Sequence, residues 1–349
     1  MSQVQKLLVA VAIIGVACVA LIWPPLGVWD ISGEWQVARE LLTSGVVQSY
    51  SNGARNAYPL PLELLFLPFG LLGPTEVAVL GRAVTLALIA AALWTWSPRF
   101  TVVLPALLSL PAVEAIFTNH VMSAVGLVGL SLAIWAQRKN RWFLCGVALG
   151  LGSIRLVNAV PVVVALLLCT RWSAASFVRM VLGALALLAP LTVLAFVVDP
   201  AWPREYQANL SVFGVAGVAQ IAMRWGALGE AVLLAAISAI AVIAVRLRGK
   251  DGFAIAMALS VLGAPMQSPY TAIFGLPALV QVAARPGYQK AAWVVNDVIW
   301  LVFIATAVTQ TVPLMSAVGL LFLVAAYPLM RASAIQPVRE EPVLQGAST

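Results

Sequence analysis

The sequence predicts an all-α polytopic membrane protein, a bundle of about 11–12 transmembrane helices with interfacial helices in the first outer loop. Three observations predict it. The chain of 349 residues is 62% hydrophobic, with a mean hydropathy of +1.00 that no soluble domain of this size shows. Its apolar runs are long and unbroken, whereas membrane strands alternate and span only about 10 residues. Its basic residues fall in short clusters between those runs, as cytoplasmic loops do under the positive-inside rule.

The first run, 6–23, reads as a retained helix, because no small-x-small cleavage site leads into a soluble chain. A polar outer loop, 24–74, follows. It carries Asp30, Glu34, Arg39, Glu40 and Arg55 in a chain with only 9% charged residues. Residues 30–44 read as an interfacial helix, with Asp30 or Ser32 able to cap it and Gly45 to stop it. Residues 58–72 are apolar but interrupted by Pro59, Pro61 and Pro68, which suits a short helix lying in or dipping into the interface.

Further spans are expected at 75–96, 101–117, 121–136, 142–154, 157–170, 180–198, 226–245, 252–264, 270–284, 291–309 and 313–330. Residues 142–170 have basic residues at both ends, Arg141 and Arg171, so they are expected to cross twice. Arg155 then lies at the turn, near the outer face or in a cavity, where an arginine is costly unless it faces protein, water or an anion. The outer loop 199–225 carries Trp202, Tyr206 and Trp225, suited to the headgroup level. Residues 1–331 form a single transmembrane domain, and 332–349 read as a disordered cytoplasmic tail.

The net charge of +7 is topology rather than nucleic-acid binding, since no single basic patch exists. Cys18, Cys145 and Cys169 lie within apolar runs, and one histidine cannot build a His-rich site, so neither a metal nor a cofactor is expected. No P-loop or dinucleotide fingerprint occurs.

With the N-terminus inside, most acids map to the outer side, including Asp30, Glu34, Glu63, Glu114 and Glu205. Arg82, Arg155, Arg204 and Arg224 lie outside or at mid-depth. Carboxylates with arginines suit transfer of a sugar from a lipid phosphate. A carboxylate takes the acceptor proton, and arginine, always charged, holds phosphate oxygens in pairs.

The order of these features resembles the GT-C integral membrane glycosyltransferases, in particular family 87, the polyprenyl-phosphate-mannose-dependent mannosyltransferases of bacteria. The resemblance spans roughly residues 6 to 285. It rests on Trp29-Asp30 followed by a helix ending at Gly45, on Tyr58-Pro59-Leu60-Pro61 with its proline-bearing run, and on Gly81-Arg82-Ala83. It continues with the turn Thr118-Asn119-His120, the basic turn 138–141, the glycine-rich run Gly146 to Gly152, Arg155 with Pro161, and Gln267-Ser268-Pro269-Tyr270. This sequence departs from the family in having Asn-His where Gly-Gln is usual, arginine at 155 where lysine is common, and a shifted second proline after Tyr58.

The resemblance implies a GT-C-like bundle and a general base for an inverting transfer in the first outer loop, which maps to Asp30. Capping is the competing role for Asp30, and a solvated partner the competing role for Glu34 on the same helical face. Arg82, Arg155, Arg204 and Arg224 are candidates for the donor phosphate, against snorkelling to the interface. Tyr58, Glu114, His120, Gln267 and Tyr270 are candidates for substrate contact, against headgroup anchoring or pairing with an arginine.

The expected function is an inverting transfer of a sugar, mannose by resemblance, from a polyprenyl-phosphate donor to a lipid or glycan acceptor. The expected place is the outer face of the bacterial cytoplasmic membrane, with membrane lipids as surroundings, no nucleic acid, and a monomeric enzyme. The rival reading is a multi-span transporter or lipid flippase, which calls for charges along a mid-membrane path and a repeated half.

Overall fold

A computed structural model describes residues 31–45, 58–210, 225–263, 269–309 and 326–329. Asp30, Arg224, Gln267, the Tyr270 side chain, the span 6–23 and the tail lie outside the described residues, as does most of 313–330.

Regular structure among the described residues is entirely helical. The helices are α1 (Ser32–Ser44), α2 (Leu60–Glu63, continued by a 3₁₀ stretch Leu64–Leu71), α3 (Pro74–Trp96), α4 (Phe100–Leu107), α5 (Leu110–Phe117), α6 (Val121–Arg138) and α7 (Trp142–Gly152). After them come α8 (Leu156–Cys169), α9 (Ala174–Val198), α10 (Trp202–Leu210), α11 (Gly226–Arg248), α12 (Lys250–Ser260), α13 (Leu276–Ala283) and α14 (Gln289–Thr309). Among the described residues five continuous helical runs, one of them the bent run Trp142–Cys169, are long and apolar enough to cross a membrane, or six with the bent pair α4–α5.

Local chemistry sets several boundaries. Pro74 occupies the first turn of α3, where its missing N–H costs nothing. The expected span 101–117 breaks into α4 and α5, bent by 67°. Pro111 is the reason: it cannot donate to Leu107 and its ring would clash with that carbonyl, so a helix ends at Leu107 and a new one starts around it. The break is satisfied by Trp300 Nε1, which donates to the Leu108 carbonyl at 3.0 Å. Gly45 ends α1 in the left-handed region (φ 71°), as expected, its N–H bonding the Leu41 carbonyl. At the start of α1 the capping position falls on Ile31 rather than on Ser32, because the Trp35 N–H closes the first turn on the Ile31 carbonyl at 2.9 Å; Asp30, the other expected cap, lies outside the described residues. Trp35 Nε1 also donates to the Leu72 carbonyl, which seats α1 on the α2 segment.

The run Trp142–Cys169 is helical almost throughout, yet it is not one straight span. Arg155 leaves helical geometry (φ −110°, ψ 71°). The Trp142 and Trp172 rings lie 5.0 Å apart, and Gln137 Nε2 donates to Thr170 Oγ1 at 3.4 Å, so both ends of the run meet at one side of the bundle. α7 and α8 are therefore two legs of a fold-back with Arg155 at its apex. At 1.5 Å per residue the legs are roughly 16 and 21 Å long, short of a ~30 Å hydrocarbon core.

A second pair of short helices runs beside it. Arg285 Nη2 pairs with Asp251 Oδ2, which joins the start of α12 to the end of α13, and Lys250 Nζ and Gln281 Nε2 both donate to the Trp96 carbonyl at the end of α3. Near the opposite ends, Asn158 Nδ2 donates to the Ser260 carbonyl at 3.1 Å. The start of α8 and the end of α12 thus stand tip to tip. Arg285 also donates to the Pro328 carbonyl at 2.6 Å. Asp251→Asn is expected to cost about 1 kcal/mol, the upper end for a pair that keeps some contact with water. Arg285→Ala, which also loses the Pro328 contact, costs more, and thermal unfolding of the detergent-solubilised protein reads the difference.

The buried core gathers around α6, α12 and α13. α9 presents large apolar side chains outward, among them Leu185, Val193 and Val197. In a membrane protein such a face meets lipid tails.

Candidate active site

The site forms where five separate stretches meet. Ile31, Tyr58, Leu62, Val77, Val121, Met122 and Ile154 pack into one buried cluster. Each of these stands beside a polar residue: Glu34, Glu63, Arg82, His120, Ser123 and Arg155 all lie within a turn or so of a cluster member. The apolar contacts therefore decide which polar groups share a neighbourhood.

Arg155 is the centre of it. Nε and Nη2 both donate to Ser123 Oγ, at 3.1 and 2.6 Å. The guanidinium carbon stands 4.9 Å from the Tyr58 ring centroid, a cation–π contact. Arg82, on α3, lies over the Phe117 ring at 5.9 Å. Its neighbour Gly81 leaves room for two other stretches. A methyl group there would stand 3.0 Å from Asn119 Oδ1 and 3.2 Å from Ile31 Cδ1.

The turn 118–120 is tightly made. Asn119 is fully buried and left-handed (φ 60°), a conformation that asparagine tolerates better than most residues. The His120 N–H donates to the Ala115 carbonyl at 2.9 Å, and Thr118 Oγ1 to the Glu114 carbonyl at 2.6 Å. These bonds hold Glu114 and His120, both buried, at the junction of α5 and α6.

The carboxylates are enclosed. Glu34 is 3% exposed and Glu63 is 0% exposed. On α10, burial raises the pKa of the half-buried Tyr206 phenol; the Glu63 carboxylate raises it further, and the Arg155 cation pulls it down. Tyr206 thus sits within electrostatic reach of both. Next to it, burial and then the Asp199 carboxylate push the Glu205 pKa up. Arg204, on the same helix, is exposed.

Among the described residues no group of three or more His, Cys, Asp or Glu side chains is placed to hold a metal ion. The chemistry on offer is that of cations and carboxylates in an enclosed setting: anion binding by Arg155 and Arg82, with carboxylates on adjoining segments.

The chain is similar to ArnT from Cupriavidus metallidurans. The crystal structure of that protein in the apo state aligns with a TM-score of 0.46 at 17% identity, over 93% of this chain and 74% of that one. A likeness of this strength says nothing of activity, and the helical fold stands on the helices described above. No family model matches the chain, and no curated protein matches it.

Of the residues singled out from sequence, the fold brings Tyr58 and Arg155 into contact and sets Arg82, Glu114 and His120 on the adjoining α3–α5–α6 junction. Sequence reasoning noted Glu63, Asn119 and Tyr206 without making them site candidates, and passed over Ser123. Glu63 carried a usable signal, a charge inside a proline-broken apolar run. Ser123 carried none, since a serine on an apolar helix is commonplace until its partner is known.

Proposed function

We propose that the chain is a membrane glycosyltransferase of the GT-C type. It moves a sugar, mannose by its resemblance to family 87, from polyprenyl phosphate to a lipid or glycan acceptor at the outer face of the cytoplasmic membrane. The observation that carries the reading is Arg155, fixed at the apex of a fold-back among carboxylate-bearing segments in a chain with 9% charged residues.

In the proposed step Asp30 takes the acceptor hydroxyl proton. The freed oxygen bonds to the anomeric carbon from the face opposite the leaving group. The bond from that carbon to the phosphate oxygen breaks, the configuration inverts, and polyprenyl phosphate departs with the electron pair. Arg155 and Arg82 hold the phosphate as its charge grows, which stabilises the transition state more than the ground state. Arg204 and Arg224 are proposed to extend that clamp. Glu34 shares the acceptor side with Asp30. Glu114, His120, Gln267 and Tyr270 are proposed to contact sugar or acceptor.

Purified protein in proteoliposomes, supplied with polyprenyl-phosphate sugars and envelope lipid acceptors, is expected to transfer sugar, and to lose transfer when Arg82 and Arg155 are both replaced by alanine. Sugar or lipid movement across the bilayer in the absence of donor, with no transfer product, would instead make the protein a transporter.

A further inference from the structure

Three contacts from two separate parts of the chain, α6 and the first outer loop, fix the conformation of one side chain, Arg155. Ser123, fully buried near the start of α6, takes two of its donors on one hydroxyl oxygen. Tyr58, 6% exposed in the first outer loop, stands against the guanidinium. Gly126, one turn beyond Ser123, leaves a groove for the stem: a methyl group there would stand 3.2 Å from Arg155 Cγ and 3.2 Å from Phe274 Cζ. Arginine ordinarily gives up much rotamer freedom when it grips an anion. A guanidinium held by a hydroxyl, a ring and a groove has already given it up, so the anion meets a preorganised fork.

We propose that Tyr58 and Ser123 are positioning residues that preset Arg155 for a phosphate monoanion or dianion on a lipid, Tyr58 acting through Arg155 rather than by touching the sugar. The inference rests on the reading of Arg155 as the donor-phosphate ligand. Tyr58 is 6% exposed, belongs to a buried cluster with Ile31, Leu62, Phe66 and Ile154, and stands against the cation, which suits support of the arginine rather than an open stacking platform.

A double-mutant cycle tests it on the purified full-length protein in detergent, with sugar-free polyprenyl phosphate as probe and the uncharged polyprenol as control. Arg155→Ala is expected to weaken polyprenyl phosphate binding about 30-fold or more. Tyr58→Leu and Ser123→Ala are each expected to weaken it roughly 3- to 30-fold. Tyr58→Phe and Ser123→Thr, which keep the ring and the hydroxyl, stay near wild type. In the Arg155→Ala background, Tyr58→Leu and Ser123→Ala produce no further loss, and polyprenol binding does not change in any variant.

Additive losses in the Arg155→Ala background would overturn the positioning role while leaving Arg155 as a phosphate ligand. Equal losses for polyprenol and polyprenyl phosphate would overturn it too, as a mark of general packing damage. Wild-type phosphate binding by Arg155→Ala would overturn the donor reading itself. Ser123→Ala, which removes a single oxygen, carries the cycle alone if Tyr58→Leu does not fold.

Discussion

Asp30→Asn is expected to lower sugar transfer by about 10²–10⁴-fold, the usual contribution of a positioned general base, with polyprenyl phosphate binding preserved. The substitution keeps shape and hydrogen-bonding capacity and removes only the basic oxygen. A thermal melt of Asp30→Asn in detergent separates loss of the base from loss of a cap at the start of α1, where Ile31 holds the capping position. Ile31 is packed beside Gly81 and within the cluster that carries Tyr58 and Ile154, which anchors the residue after Asp30 at the site. Glu34 is the rival base, one turn further on and buried. Glu34→Gln is expected to cost less than about tenfold, the scale of one weakened hydrogen bond. Initial rates at saturating donor and acceptor separate the two variants. A wild-type rate for Asp30→Asn would remove it as the base, and a collapse confined to Glu34→Gln would transfer the role.

Gly183→Val is expected to abolish accumulation of folded protein, or to lower its melting temperature in detergent by more than any other substitution discussed. α7 and α9 touch backbone to backbone at two glycines. A methyl group at Gly183 would overlap the Phe143 carbonyl, and one at Gly146 would overlap the Met180 carbonyl. Neither obstacle is a flexible side-chain end, so the helices would have to separate. In lipid, helix association depends on close van der Waals packing rather than on hydrophobic exclusion. Overpacking costs about 1–3 kcal/mol in ordinary cores, occasionally more. Here it also moves α7, the leg that leads to Arg155. Gly183→Ala is the milder companion, and Gly45→Ala, open to space but at φ 71°, shows the cost of backbone strain without overlap. Fluorescence-detected size-exclusion profiles and thermal melts give the comparison. A wild-type melt for Gly183→Val would refute the close contact.

Much of the helix inventory was legible because its cause is local. The 75–96 and 121–136 spans match α3 and α6 almost to the residue, since hydropathy, Pro74 and the basic cluster at 138–141 mark their ends. The return of the chain at 142–170 was legible from charge, since Arg141 and Arg171 had to share a side, but its depth was not: the two legs are too short for the two crossings expected. The 101–117 span was less legible. A hydropathy window does not register that Pro111 removes a donor and bends the segment by 67°.

The site was legible only in part. Arg155 stood out because a cation in an apolar fold-back is costly unless it has something to do. Its partner did not, because Ser123 lies 32 residues away on another helix and differs in no local way from Ser131. Tyr206 belongs to a third segment, which reaches Glu63 and Arg155 only once α9 has carried the chain across.

The sequence by itself determined the helices, the uneven distribution of charge and the residues too costly to leave in lipid without a purpose. Those are consequences of transfer free energy and backbone hydrogen bonding, which act residue by residue along the chain. The tertiary structure decided which polar groups stand together: Arg155 with Ser123 and Tyr58, and Gly81 with Asn119 and Ile31. That choice depends on glycine contacts between α7 and α9 and on the joined tips of α8 and α12, contacts between residues as far apart as Asn158 and Ser260. Close packing fixes such pairings through the shapes of distant segments, and no local pattern encodes a shape that forms only when they meet.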